Sequence, residues 1–257
     1  MTTEAKKSAW KFRFEGEDVA ADIRTKYGAG GDLVDIYAAA NGREVHKWHH
    51  YLPIYERYFE KFRGKPVRML EIGTWRGGSL AMWRDYFGPE AVIFGIDINP
   101  RCKDYDGEAA QVRIGSQADP KFLAEVIAEM GGVDIILDDG SHVMKHVRAS
   151  LRMLFPQLAE GGVYMIEDMH TAYWKKFGGG MDTSDNIFNF VRKLIDDMHR
   201  WYHGGKPRVP LFGPMISGIH VHDSIIVLEK GPVHPPVASI RGGRTAETPA
   251  ETDASVR

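Results

Sequence analysis

Between residues 67 and 228 the chain alternates short apolar runs with longer segments in which apolar residues recur every three or four positions. Short runs that end in glycine, aspartate or asparagine are typical of buried strands, and the longer segments are typical of amphipathic helices. The pattern predicts strands over residues 67–72, 91–97, 111–115, 133–137, 162–166, 216–222 and 224–228. It predicts helices over residues 79–87, 120–130, 142–158 and 187–201.

Strands that alternate with helices predict an α/β fold in which a mostly parallel sheet is covered on both faces. The last two strands are joined so closely that we expect them to pair antiparallel. We expect the main domain to span residues 45–230 and a partly ordered extension to cover residues 1–44. Residues 231–257 lack hydrophobic periodicity and are rich in Pro, Thr, Ala and Glu, which predicts a disordered tail.

The composition limits the class of protein and its partners. With 33 Lys and Arg against 35 Asp and Glu, the formal net charge is −2, which disfavours binding to nucleic acid or to an anionic membrane. Cys102 is the only cysteine, so an internal disulfide is excluded and a reducing compartment is expected. Neither a signal peptide nor a span of about 20 apolar residues is present, and we therefore expect a cytoplasmic protein.

Polar clusters follow the first three predicted strands, where parallel sheets bind their ligands. The segment LEIGTWRGGSL, residues 70–80, has glycines that allow a tight turn and a close approach of a ligand to the backbone. It matches neither G-x-G-x-x-G nor a phosphate loop, and Glu71 would repel a pyrophosphate but suit a cationic ligand. Asp97, after the second strand, can accept both hydroxyls of a ribose. Ser116 and Gln117, after the third, can contact the edge of an adenine.

Together these clusters resemble the class I S-adenosylmethionine-dependent methyltransferases. The resemblance implies a Rossmann-like, doubly wound, mostly parallel seven-stranded sheet with an antiparallel last pair of strands. For the loop alone, a pair of turn glycines in an unrelated α/β protein is the alternative. The cofactor residues that the resemblance implies are Glu71, Gly73 and Gly78 for the amino-acid part, Asp97 for the ribose, and Ser116 and Gln117 for the adenine.

Four carboxylates follow the fourth and fifth strands. IILDDGSH contains Asp138 and Asp139, and YMIEDMH contains Glu167 and Asp168. Because these strands are neighbours in a doubly wound sheet, we expect the acids to converge on one mouth. Clustered like charges need a cation to neutralise them, and oxygen ligands favour Mg²⁺, Mn²⁺ or Ca²⁺ over zinc or copper. Of these three ions we expect Mg²⁺. Asp139, Glu167 and Asp168 would hold the ion, and Asp138 would bind the ammonium group of the cofactor or a backbone group.

His142 has a role beside such an ion. Methyl transfer to an alcohol requires loss of the hydroxyl proton, and an unperturbed imidazole, with a pKa of about 6.5, can accept it. The structural alternative is that Asp139 or Ser141 caps a helix whose first turn contains His142, while Glu167 and Asp168 cap a loop. That alternative leaves the clustering of four acids unexplained.

Longer segments sharpen the resemblance. DDGSH, IEDMHTAYW, RDYFGPEAVIFGIDINPRC and IGSQADPKFL look like the metal-dependent O-methyltransferases of macrolide sugars, the mycinamicin- and tylosin-type enzymes. This resemblance implies Mg²⁺ at Asp139, Glu167 and Asp168, a general base at His142, S-adenosylmethionine as the methyl donor and a small glycoside as the acceptor. The large amino-terminal domain of the mycinamicin-type enzyme has no counterpart in the sequence, so the acceptor and a homo-oligomeric state stay open.

Two aromatic segments are candidates for covering the site. Directly after the last acids, Tyr173 and Trp174 can stack on a sugar ring or on an aglycone. The segment VHKWHHYLPIYERYF, residues 45–59, should be helical on both sides of Pro53, which would break or kink it. Its residues can reach the site or simply pack against the sheet; the candidates are His49, His50 and Tyr51.

Two other functions remain open. A catechol-type O-methyltransferase uses the same cation on a phenolic diol, but a phenol needs a base less than an alcohol does. His142 therefore favours an alcohol acceptor. A cofactor-binding module without catalysis is the third interpretation, and the complete set of acids with a histidine argues against it.

Overall fold

The chain forms one seven-stranded sheet with helices on both faces. A computed structural model describes residues 12–204, 211–212 and 215–242. The strands are β1 (Arg68–Ile72), β2 (Val92–Asp97), β3 (Gln111–Ile114), β4 (Val133–Asp138), β5 (Leu158–Ile166), β6 (Ile216–His222) and β7 (Ile225–Lys230). The helices are α1 (Val19–Tyr27), α2 (Asp32–Ala39), α3 (Tyr51–Phe59), α4 (Gly78–Phe87), α5 (Pro120–Met130), α6 (Met144–Leu154) and α7 (Ile187–Met198).

The strand order is β3-β2-β1-β4-β5-β7-β6. Strands β1 to β5 pair in parallel, whereas β7 pairs antiparallel with both β5 and β6. This confirms the predicted doubly wound sheet with an antiparallel last pair. The order places β4 between β1 and β5, so the loops that leave the carboxyl ends of these three strands lie side by side.

Two apolar layers hold the helices on the sheet. One layer joins α5, α6 and α7 to the sheet through side chains such as Leu123, Leu151 and Phe190. The other layer contains Tyr55, Phe59 and Trp83 from α3 and α4, together with residues of the first two helices. Ile23, Leu33 and Val34 of α1 and α2 are fully buried. The segment predicted as a partly ordered extension therefore contributes, from residue 19 onwards, to the core on one face of the sheet.

The local signals explain where several helices begin. Asp119 caps α5, because its Oδ1 accepts hydrogen bonds from the N–H groups of Lys121 (3.0 Å) and Phe122 (3.3 Å). Pro120 is the first residue of that helix, where a missing N–H costs nothing. Pro53 lies in the first turn of α3, and residues 45–48 before it are neither helix nor strand. The predicted helix on both sides of Pro53 is therefore wrong, since Pro53 opens the helix instead of kinking it.

The predicted helix over residues 142–158 is too long at both ends. The helix begins at Met144 because His142 has a left-handed backbone with φ 56°. It ends at Leu154, and Phe155–Gln157 form a short 3₁₀ turn that contains Pro156. Strand β5 then begins at Leu158, four residues before the predicted start, and its pairing with β4 shifts register before Val163. The polar sequence Glu160-Gly161-Gly162 lies at this irregularity, and the hydrophobic pattern therefore did not indicate the first half of the strand.

The two ends of the chain lie partly outside the described residues. Of the predicted extension, residues 1–11 are outside, and of the predicted tail, residues 243–257 are outside. Residues 231–242 contain neither helix nor strand. Among the helices of the described part, none has both the length and the apolar character to span a bilayer.

Candidate active site

The predicted convergence of four acids holds for three of them, because Asp139, Glu167 and Asp168 lie together at the carboxyl ends of β4 and β5, whereas Asp138 points to the opposite face of the sheet. Just past β4, the N–H of Asp139 donates to Ile72 O of β1 (2.9 Å), and just past β5, the N–H of Glu167 donates to Asp138 O (2.9 Å). These bonds extend the sheet by one residue on each strand and place Asp139 next to Glu167. The loops that carry the other two predicted residues, His142 and Asp168, start immediately afterwards.

His142 lies between two of the acids. Its Nε2 is 3.8 Å from Oδ1 of Asp139 and 3.8 Å from Oδ2 of Asp168. Donor atoms of these three residues all lie within 4.8 Å of one another. Two ligands of one divalent cation can be separated by such a distance, and carboxylates suit a hard cation, so the donor set fits a metal ion. The helix-cap alternative is not observed, because α6 begins at Met144 with no side-chain cap.

Left-handed backbone conformations recur in these loops. His142 and Asp168 both have φ 56°, a region that few residues other than glycine occupy, although aspartate and histidine are found there more often than most. Trp75 in the loop after β1 (φ 46°) and Ser224 in the turn between β6 and β7 (φ 62°) complete the set of non-glycine residues in this region among the described residues. Ser224 O accepts from the N–H of Met169, directly after Asp168. Strain of this kind persists where the surroundings hold the backbone in place, and it is common at functional sites.

Lys47 occupies the centre of the acid cluster. Its Nζ donates to Oδ2 of Asp139 (2.6 Å) and to Oε1 and Oε2 of Glu167 (2.9 and 3.0 Å). The side chains of Lys47 and Glu167 are each only 2% exposed. Burial alone would lower the pKa of Lys47, but the charges of Asp139 and Glu167 outweigh it and raise the pKa. Burial also raises the pKa of Glu167, and the nearby Asp139 adds to the rise, while Lys47 opposes it.

Tyr51 holds the third acid. Its hydroxyl donates to Oδ1 of Asp168 (2.8 Å) and accepts from the N–H of the same residue (3.3 Å). Asp139 and Asp168 thus each use one carboxylate oxygen to bind a residue of segment 47–51 and turn the other oxygen towards His142. Of the three residues expected to cover the site, Tyr51 contacts a predicted metal ligand, whereas His49 bonds Asp22 on α1 (2.7 Å). His50 contacts the Tyr51 ring edge-on, with the ring centroids 4.6 Å apart.

Asp138 points away from this cluster, to the opposite face of the sheet. Its buried carboxylate accepts from the hydroxyls of Ser150 (2.6 Å) and Tyr164 (3.2 Å) and from Nε2 of Gln117 (3.1 Å). Oε1 of Gln117 accepts from the N–H of Ser141 (2.7 Å), so this network fixes the loop that leads to His142. The prediction that Asp138 binds a backbone group agrees with its contact to the N–H of Gly140 (3.4 Å). Direct cofactor contacts of Asp138 and Gln117 stay predictions.

Glu71 is also enclosed. It is 0% exposed, and its carboxylate accepts from Ser79 Oγ (2.7 Å) and Trp83 Nε1 (3.2 Å) on α4. Burial raises the pKa of Glu71 to about 7, against the lowering effect of Lys47 and Ser79. In the structure Glu71 ties α4 to β1, and its predicted contact with the amino-acid part of a cofactor remains a prediction.

The glycine loop is shaped by close backbone contacts. Gly73 has φ 90°, and a side chain there would overlap the carbonyl group of Asp139. A side chain at Gly78 would overlap the carbonyl group of Glu44, because residues 43–44 cross the start of α4. Asp97 holds this loop, since its Oδ2 accepts from the N–H groups of Thr74 (3.0 Å) and Trp75 (3.1 Å). The predicted ribose contact of Asp97 is untested by these bonds.

The remaining predicted residues lie at the rim. Ser116 forms a local turn, in which its Oγ accepts from the N–H of Ala118 (3.2 Å). Trp174 is 45% exposed and lies 6.0 Å from the Phe177 ring, which in turn lies 6.2 Å from the ring of His142. Tyr173 is 49% exposed and packs instead against Phe188 of α7. The two neighbouring aromatic residues therefore face different parts of the molecule.

Lys47 and the supporting roles of Ser150 and Tyr164 were missed by the sequence analysis. The one available signal is a lysine between His46 and Trp48, in a segment of aromatic residues that could pack against the sheet, because a lysine buried by such packing needs a partner. Ser150 and Tyr164 lie within apolar periodic segments and carry no signal of their own. Their role follows only from the direction in which Asp138 points.

Comparisons with known proteins agree with the fold. A family model described as a methyltransferase domain matches residues 70–169. The chain is 38% identical over 232 residues to the 8-demethyl-8-(2-methoxy-alpha-L-rhamnosyl)-tetracenomycin-C 3'-O-methyltransferase of Streptomyces olivaceus. This match covers 85% of this chain and 59% of that protein. It is 36% identical over 225 residues to the demethylmacrocin O-methyltransferase of Streptomyces fradiae, and this match covers 82% of this chain and 55% of that protein.

Among solved structures, the MycE methyltransferase from the mycinamycin biosynthetic pathway, in complex with Mg, SAH and mycinamycin VI, is similar with a TM-score of 0.67. The two sequences are 33% identical, and the match covers 85% of this chain and 54% of that one. The chain thus spans little more than half the length of these relatives. In sequence and fold the chain is similar to the class I S-adenosylmethionine-dependent methyltransferases, and among these to the macrolide-sugar O-methyltransferases.

Proposed function

We propose that the protein transfers a methyl group from S-adenosylmethionine to a sugar hydroxyl of a glycosylated natural product, with a divalent cation, Mg²⁺, at the acid cluster. The observation that carries the proposal is the position of His142 Nε2, 3.8 Å from a carboxylate oxygen of both Asp139 and Asp168. A base beside a cation site suits an acceptor that must lose a proton. The relative from Streptomyces olivaceus, whose name gives a rhamnosyl tetracenomycin as its acceptor, supports the same substrate class.

When bound, S-adenosylmethionine would supply the methyl group, carried on a positively charged sulfur, and the cation would supply positive charge beside the acceptor hydroxyl. Asp139 and Asp168 would hold the cation through the oxygens that face His142. Glu167, expected as a third ligand, lies next to Asp139, but both of its carboxylate oxygens accept hydrogen bonds from Lys47. His142 accepts the proton of the acceptor hydroxyl at Nε2 while the new C–O bond forms and the C–S bond breaks. The loops after β1, β2 and β3, with Asp97 and Ser116, would hold the methyl donor on the other side of the acceptor.

The composition of the chain and the exposed ring of Trp174 support the proposed partners and compartment. A net charge of −2 suits a small neutral acceptor more than nucleic acid, and a single cysteine suits the cytoplasm. The exposed ring of Trp174 can cover the sugar or its aglycone. A homo-oligomer is compatible with these features, and none of them requires it.

The test is methyl transfer to a panel of acceptors, followed by mass spectrometry of the acceptor and detection of S-adenosylhomocysteine. An L-rhamnosyl aromatic polyketide and a macrolide that carries a deoxysugar represent the proposed class, and a catechol represents the phenolic alternative. We expect one added methyl group on the sugar, loss of the activity in EDTA and its recovery with Mg²⁺. Transfer to the catechol alone, or activity that EDTA does not change, would contradict the proposal. Binding of S-adenosylhomocysteine without transfer to any acceptor would favour a non-catalytic module.

A further inference from the structure

Three acids on adjacent strands point to one face of the sheet. Glu71 of β1 pairs with Leu137 of β4, and Leu137 pairs with Met165 of β5, so these three side chains share one face of the sheet. Asp139 and Glu167 lie two residues after Leu137 and Met165, and side chains two residues apart on a strand point to the same face. They lie on the face covered by α3 and α4, and the charge of each acts on Lys47. Asp138, one residue earlier than Asp139, belongs to the opposite face and has its own donors in Ser150, Gln117 and Tyr164.

The ammonium group of Lys47 is fixed in this position from two directions. Its three hydrogen bonds to Asp139 and Glu167 take up all three of its protons. Its backbone is held by Tyr37, whose hydroxyl donates to Lys47 O (3.2 Å) and accepts from Lys47 N (3.4 Å). Residues 43–44 just before it lie against Gly78 at the start of α4. A divalent cation at this position would have to displace the ammonium group from all three of its acceptor atoms.

Because Lys47 binds one carboxylate oxygen of Asp139, the other oxygen is left to face His142. Oδ2 binds Lys47, and Oδ1 faces His142 together with Oδ2 of Asp168. We propose that Lys47 is a positioning residue of the cation site, which holds Asp139 and Glu167 side by side and directs Asp139 Oδ1 towards the ion. This inference rests on the proposed function, because it concerns the cation of that site.

The alternative is that Lys47 competes with the ion for the same oxygens, and the two cases predict opposite effects. If Lys47 positions the acids, a neutral side chain of similar length lets Asp139 and Glu167 repel each other and weakens cation binding. Residues that orient metal ligands in this way typically contribute about 10- to 100-fold to metal affinity. If Lys47 competes, the neutral side chain removes the competitor and cation binding becomes tighter.

The experiment measures Mn²⁺ binding to the metal-free full chain by electron paramagnetic resonance of the free ion, without any acceptor. We expect the dissociation constant of Lys47→Met to be at least about tenfold above that of the wild type. Lys47→Arg keeps the charge and should recover part of the affinity. Lys121→Met is the matched control, since Lys121 is exposed and, within the described residues, forms an ion pair only with Glu125 on α5 (3.9 Å). Equal or tighter binding by Lys47→Met would overturn the inference.

A second measurement needs no variant and covers the case in which Lys47→Met does not fold. In a crystal of the wild type soaked with Mn²⁺, the anomalous signal should lie beside Asp139 Oδ1 and Asp168, with Lys47 still bonded to Asp139 Oδ2 and Glu167. An ion at the position of the ammonium group, with Lys47 turned away, would overturn the inference. Absence of Mn²⁺ binding to the wild type would overturn the cation part of the proposed function as well. Normal binding with no effect of Lys47 would overturn this inference alone.

Discussion

The imidazole Nε2 of His142 lies 3.8 Å from Oδ2 of Asp168, and both residues have a left-handed backbone with φ 56°. The two loops come from neighbouring strands, and each is held by a residue far away in the chain. Gln117 binds the N–H of Ser141 just before His142, and Tyr51 binds the N–H and the carboxylate of Asp168. The distance between the base and the acid therefore depends on supports outside both loops.

Replacement of His142 by Asn should remove the base without disturbing the loop, because Asn tolerates a left-handed backbone. We expect kcat for methyl transfer to fall by about 100-fold or more, the usual contribution of a general base. Thermal unfolding and binding of S-adenosylhomocysteine by calorimetry should match the wild type. Wild-type turnover in this variant would remove His142 from the mechanism.

Replacement of Glu71 by Gln should change how stability depends on pH. Burial raises the pKa of Glu71 from 4.5 to about 7 in the folded chain. Between these values the folded state keeps the proton and the unfolded state loses it, so the free energy of unfolding falls as the pH rises and levels off above about 7. The shift corresponds to about 3 kcal/mol.

Urea unfolding of the two proteins at pH 5 and pH 8 measures this effect. The wild type should lose about 3 kcal/mol more than Glu71→Gln between the two pH values, since glutamine does not titrate. All other titrating groups are shared and cancel in the comparison. Parallel pH profiles would show that Glu71 is already ionised at pH 5 in the folded protein.

Replacement of Gln117 by Leu separates a loop-holding role from a cofactor contact. The variant leaves Asp138 without one donor and the N–H of Ser141 without its acceptor, so we expect the free energy of unfolding to fall by about 1–3 kcal/mol. Gln157→Leu is the control, because Gln157 makes a single bond, to Met153 O (3.2 Å). If Gln117→Leu bound S-adenosylhomocysteine more weakly than the wild type but had the same free energy of unfolding, the main role of Gln117 would be the adenine contact.

Replacement of Trp174 by Ala should weaken acceptor binding, whereas Tyr173→Ala should not. The Trp174 ring reaches towards His142 through Phe177, and the Tyr173 ring packs on Phe188 of α7. Loss of an aromatic stacking contact of about 1–1.5 kcal/mol should raise KM for the glycoside roughly tenfold. Steady-state kinetics with S-adenosylmethionine at saturation measures this difference. Equal KM changes in both variants would place the acceptor elsewhere.

The fold and the grouping of the acids could be predicted from the sequence. Apolar runs with breakers at both ends define the strands, and the alternation with helices makes the sheet parallel, so the residues after β4 and β5 must meet at one edge. Of the residues predicted on this basis, Asp139, His142 and Asp168 lie together in the structure, whereas both carboxylate oxygens of Glu167 bind Lys47. The long helix predicted from residue 142 failed because periodicity does not reveal the left-handed backbone of His142.

The amino-acid sequence by itself determined a mostly parallel sheet covered by helices, because this depends on local periodicity and on chain connectivity. The doubly wound order, and with it the edge at which the acids gather, followed from the resemblance to the methyltransferases. Only the tertiary structure decided that Lys47 lies between Asp139 and Glu167, residues 92 and 120 positions further along the chain. It likewise decided that Asp138 turns to Ser150 and that Tyr51 holds Asp168. Such contacts depend on which face of the sheet a distant segment covers, and packing of the complete apolar layers sets that choice.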